Sequence, residues 1–172
     1  DHGGMSQRTA SRSTRIAVCS AGAAALAIAA CTFGVPAKTA QTTGGTVMLQ
    51  LTPAGTFKPN DGRELKPGAW RIDAASAQHV IERFKTRGKP PVIDYEHQTL
   101  KKEQNGQPAP AAGWIRDLRW VDGQGLYAVA ELTARARDYI KAGEYLYFSP
   151  VFEYDEITGT VLAVHMGALT ND

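Results

Sequence analysis

Cysteine is almost missing from this sequence. The 172 residues hold two, Cys19 and Cys31, both in an Ala-rich stretch near the N-terminus. That excludes a disulfide framework and a cysteine-based zinc motif in the body of the chain, and it fits an intracellular setting. The fold must rest on an apolar core, and a single domain of this length can bury one. An excess of one charge is missing too. The 19 Lys plus Arg stand against 17 Asp plus Glu, a net of +2, and Arg8, Arg12 and Arg15 account for part of the excess. No basic block remains to track phosphates, so nucleic-acid binding gains no support. The apolar run at residues 16–31 is dominated by Ala, Gly and Ser and is too short to span a bilayer.

The N-terminal region admits two readings. Asp1-His2-Gly3-Gly4 before Met5 reads as the remnant of a cleaved tag, and residues 1–15 as a basic segment outside the fold. Arg8 to Arg15 followed by the apolar run resembles a secretory signal, with Ile28-Ala29-Ala30-Cys31 in the place of a lipoprotein cleavage site. Alternatively, residues 15–20 form a short strand and residues 21–45 a flexible Ala/Gly/Thr-rich insertion.

The body reads mainly as strands. Val47, Leu49 and Leu51 alternate with polar neighbours, predicting a strand over 46–52. Asn60-Asp61-Gly62-Arg63 reads as a turn. Asp73 caps a helix to about residue 87, whose buried face is Ala77, Val80, Ile81 and Phe84. A strand over 92–97 follows, then a polar and mobile loop over 100–112. Residues 113–121 and 126–132 pair across Asp122-Gly123-Gln124-Gly125, and Thr133 caps a helix closed by Gly143. An aromatic-rich strand over 145–154 turns at 155–159 to pair with 160–166. The sum is an α+β domain, mainly β, built as a curved antiparallel barrel with flanking helices.

Ser149 is the most suggestive nucleophile. It shares a strand face with Tyr147 and Val151, and Pro150 beside it places that strand at an edge or a bulge, which would expose the hydroxyl and free backbone amides for an oxyanion. A serine needs a base, and imidazole titrates near neutral pH. Of four histidines, His2 lies in the tag remnant and His79 reads as structural on the first helix. His97 ends its strand beside a loop and reads as the candidate base. If Tyr154 stands opposite Thr160, Ser149 faces His165, which could orient His97; a slip of one residue brings Met166 there instead. Asp94 is the acidic alternative, but strand alternation turns it away from His97. The competing reading is a serine bonded to backbone and histidines satisfied in or near the core.

Four strings carry a resemblance: Ile93-Asp94-Tyr95-Glu96-His97, Ala111-Ala112-Gly113-Trp114-Ile115, Glu144-Tyr145-Leu146-Tyr147-Phe148-Ser149-Pro150-Val151-Phe152 and Ala168-Leu169-Thr170-Asn171. In this order they resemble the I-protein family of Mu-like phages, with weaker matches at Leu51-Thr52-Pro53-Ala54-Gly55 and Asp61-Gly62-Arg63. The resemblance runs from about Ile16 to the end, and it favours the strand reading of residues 16–20 over export. It implies kinship with phage prohead proteases and herpesvirus assemblin, hence a barrel over residues 16–172 that carries a serine endopeptidase. Such an enzyme cleaves scaffold and its own precursor during capsid maturation. His97 and Ser149 match the family's catalytic pair, and His165 falls near the second histidine of assemblin-type enzymes. The implied partners are the scaffold protein and the major capsid protein of a prohead, with a homo-oligomer such as a dimer. The implied location is the host cytoplasm, inside the assembling shell, with no metal or cofactor, nucleic acid or membrane. The family's Ala/Gln-rich scaffolding region is absent after Asp172. The alternatives are a non-catalytic module that binds capsid or scaffold, and an exported lipoprotein with a β-rich domain.

Overall fold

The computed structural model describes residues 14–17, 33–35, 45–59, 62 and 64–171. The tag remnant, most of the apolar run and of the 21–45 insertion, and the turn at 60–63 apart from Gly62 lie outside the described residues. Among the described residues, ten strands and three helices follow one another: β1 Thr14–Ala17, β2 Phe33–Gly34, β3 Thr46–Pro53, β4 Gly55–Phe57, β5 Trp70–Ile72, α1 Ala74–Lys85, β6 Val92–Tyr95, α2 Gln98–Asn105, β7 Gly113–Val121, β8 Gly125–Leu132, α3 Ala134–Lys141, β9 Tyr147–Asp155 and β10 Val161–Thr170. The domain is mainly β with flanking helices, as the patterning predicts.

Eight strands form one curved sheet in the order β1-β9-β10-β6-β7-β8-β3, with β2 joining β9 on the same edge as β1. The sheet curls until β3 approaches β9, giving a nearly closed barrel. One junction departs from the antiparallel expectation: β10 runs parallel to β6. The last strand is thus inserted between β9 and β6, near the middle of the sheet. Alternation alone cannot reveal this, because it gives the faces of a strand but not its neighbours.

Side-chain alternation sorts this region into an inner and an outer face. Phe148 and Phe152 of β9, Val164 and Leu169 of β10 and Ile93 of β6 join the core inside the barrel. Trp70 closes it, edge-on to Phe152 at 5.1 Å and to Tyr154 at 5.9 Å. Gly167 is required here, because a Cβ at that position would run into the Phe148 ring. Helix α1 covers part of the barrel, burying Ala77, Val80 and Ile81, as its spacing predicts. Its capping box is reciprocal: Ser76 N–H donates to Asp73 Oδ1 at 2.8 Å and Asp73 N–H donates to Ser76 Oγ at 2.9 Å.

Candidate active site

The outer face of the same strands carries the polar residues. Ser149 on β9 pairs with Ala168 on β10, and Ala168 pairs with Asp94 on β6. The three form one row, with Ser149 and Asp94 two strand spacings apart, roughly 10 Å across the sheet. Ser149 and Asp94 are both fully buried, and the segment that follows β6 starts two residues beyond Asp94.

That segment explains where His97 goes. The strand expected over 92–97 stops at Tyr95, and both Glu96 (φ 56°) and His97 (φ 54°) turn left-handed. Each such non-Gly residue costs on the order of 1–2 kcal/mol and needs external support. Glu96 N–H donates to Leu169 O at 2.9 Å, Lys101 Nζ donates to Glu96 O at 2.8 Å, and Thr170 Oγ1 donates to Glu96 Oε2 at 3.0 Å. Asp94 Oδ2 accepts the Thr99 N–H at 2.7 Å in the first turn of α2. Strand alternation therefore does not apply to His97, and the argument that turned Asp94 away from it falls. Asp94 supports the turn that presents His97.

The polar atoms of this region lack partners to an unusual degree. Among the described residues, Ser149 Oγ, His97 Nδ1, His97 Nε2 and Asp94 Oδ1 are buried side-chain atoms with no hydrogen bond. Buried polar atoms are nearly always paired, and orphans gather where a protein does chemistry. Ser149 and His97 are thus not bonded to each other in this state. Burial, helped by the charge of Lys101, pushes the His97 imidazole down to about 4, so it is neutral at pH 7. Burial raises the Asp94 carboxyl, against the lowering effect of its bonds to Thr99 and to the His97 backbone.

His165 does not face Ser149. The hairpin begins with Val161, not Thr160, opposite Tyr154, and register shifts follow between Val161 and Ala163 and between Val164 and Met166. Three one-residue slips bring Ala168 to the position expected for His165. The irregularities lie in β10, whereas Pro150 sits in a regular stretch opposite Gly167. His165 instead meets Glu153, Nε2 to Oε2 at 3.3 Å, and Arg83 of α1 reaches the same carboxylate at 3.4 Å. His79 is exposed on α1.

The loop expected over 100–112 is half helix. Helix α2 buries none of its residues, so it shows no apolar stripe, yet Leu100, Lys101, Lys102, Glu103 and Gln104 are good helix formers. Gly106, left-handed at φ 67°, ends it. Asn171 was not among the expected site residues. Its side chain donates to Glu144 O at 2.7 Å and accepts from Leu146 N–H at 3.1 Å, pinning the entry to β9. The signal for it and for Thr170 was their place in the Ala168-Leu169-Thr170-Asn171 string.

The outer face of the curved barrel thus carries a buried serine and a buried carboxylate in one row, with a buried histidine at the left-handed turn that follows β6. The family model of the Mu-like prophage I protein, N-terminal domain, matches residues 49–172, and the chain belongs to that family. It is 40% identical over 130 residues to the protein named Protease I of Escherichia phage Mu, covering 72% of this chain and 36% of that protein. It is 39% identical over 142 residues to the Mu-like prophage FluMu I protein of Haemophilus influenzae, covering 78% of this chain and 40% of that protein. The chain therefore spans less than half the length of these curated relatives. No solved structure matches it.

Proposed function

We propose that this domain is a serine endopeptidase that cleaves scaffold and its own precursor as a phage capsid matures. The observation that carries the reading is the set of partnerless buried atoms on Ser149 and His97, in the family of a protein named as a protease. Ser149 Oγ attacks the scissile carbonyl carbon while His97 takes its proton. The amine leaves with that proton, and water, activated by the same imidazole, then hydrolyses the acyl-enzyme. Asp94 acts through the Glu96–His97 turn, as a positioning residue. A neutral His97 can accept a proton, and a fully buried Ser149 requires a local opening before a peptide arrives.

The same burial favours a second reading, a non-catalytic module that binds capsid or scaffold and keeps its serine closed. The full-length precursor decides between them. Its self-processing, followed on a gel, should stop in Ser149→Ala while circular dichroism stays unchanged. The wild type should take up a fluorophosphonate at Ser149. Normal processing by a folded Ser149→Ala precursor would leave only the assembly module.

A further inference from the structure

A groove opens on the outer face beside Ser149, with a volume of about 550 Å3, inside the roughly 300–1,000 Å3 range of ligand clefts. Its floor is the neighbouring row of the same sheet: Val151 pairs with Met166, and Val92 pairs with Trp114. Met166 and Val92 immediately precede the paired Gly167 and Ile93, so the four side chains cross four adjacent strands. Leu100 of α2 forms a wall. Trp114 is 37% exposed and Leu100 39%, a large apolar pair left open to solvent around one depression.

The rim is cationic. Lys89, Lys102 and Arg87 line it, and among the described residues no lining side chain carries a carboxylate. Arg87 is held by backbone carbonyls, with Nη1 donating to Val164 O at 3.1 Å and Nε donating to Lys89 O at 3.3 Å, whereas Lys89 and Lys102 are exposed. Glu153, which meets His165 at the groove edge, is already engaged by Arg83.

We infer that this groove is the substrate-recognition cleft, and that it selects an extended peptide with an apolar side chain next to an acidic one. This rests on the protease reading and gives it a substrate class. Val151 and Ser149 are two residues apart on β9, roughly 7 Å. An extended peptide has the same rise, so an apolar residue seated over Val151 puts the bond about two residues along at Ser149. The carboxylate of the flanking acidic residue then meets Lys89 and Lys102, a long-range and salt-sensitive attraction.

The test separates binding from cleavage. Ser149→Ala protein is titrated into two fluorescein-labelled decapeptides that share a central Leu-Phe pair, flanked by glutamates in one and by lysines in the other. Anisotropy should show the glutamate peptide bound at least tenfold more tightly, with the advantage shrinking as salt rises. Adding Lys89→Glu and Lys102→Glu should reverse the preference, and Trp114→Ala should weaken both peptides. Equal affinity for the two peptides, or a preference that survives the charge reversal, would overturn the inference. These measurements need no catalysis. If the wild type takes up no fluorophosphonate while the charge preference holds, the protease reading fails and the groove stands as a peptide-binding site alone.

Discussion

Asp94 stands in the same sheet row as Ser149, with only the methyl group of Ala168 between them, while its carboxylate holds the first turn of α2 through the Thr99 N–H. One side chain thus ties the serine row to the helix that follows β6. Asp94→Ala should cost about 1 kcal/mol, in the range of a lost helix cap, and should also release the turn that carries His97. Asp94→Asn keeps an acceptor and should be milder. Amide exchange at Thr99, followed beside precursor processing, should rise in Asp94→Ala well before global unfolding. Unchanged Thr99 protection would remove Asp94 from its positioning role.

Ser149→Ala should stabilise the fold. The hydroxyl is buried without a partner, and replacing it with hydrogen removes a desolvation cost of about 1–2 kcal/mol while opening almost no space. Urea unfolding of wild type and variant measures the difference. A lower midpoint for the alanine protein would mean that Ser149 has a structural bond in solution.

His97 gives stability a pH dependence whose sign is fixed. Its folded pKa lies near 4, below the ordinary 6.5, so between these values the unfolded chain binds a proton that the folded chain refuses. Stability is therefore full above about pH 6.5 and falls as the pH drops toward 4, by on the order of 3 kcal/mol at most. Asp94 acts in the opposite sense. Its pKa is raised above 3.8, so its contribution is present below that value and lost as the pH climbs through the folded pKa. His97→Gln should flatten the fall between pH 6.5 and 4 in urea titrations and should abolish precursor processing. A slope that persists in His97→Gln would assign the titration to another group.

His165→Ala separates structure from chemistry. Its imidazole is 37% exposed and shares Glu153 with Arg83, a partly screened cluster whose loss should change stability by less than about 1 kcal/mol. Processing by this variant should stay within a few-fold of wild type. A loss of several orders of magnitude would restore it as an orienting residue.

The sequence made the barrel's faces legible but not its seams. Alternation and capping found α1, both long hairpins and the two sides of β9, because those depend on local periodicity and a single cap residue. The register of β9 against β10 was beyond it, since the irregularities around His165 and Leu162 leave no mark in a buried run of apolar residues. The turn at Glu96 and His97 was hidden for another reason. Neither residue advertises a left-handed conformation as glycine does, and the bonds that hold it come from Leu169, Thr170 and Lys101, the first two remote in the chain. Ser149 and His97 were legible as candidates, while the full burial of both was not.

Because β10 is wedged between β9 and β6, the barrel has its keystone at the late end of the chain. A ribosome delivers strands in order, so a nascent chain that has emerged only through β9 has no seat for Ser149 beside Asp94 and no backbone carbonyl for Glu96 to bind. The serine row closes in one late event that joins distant parts of the polypeptide. A chain still lacking β10 therefore holds the serine row open.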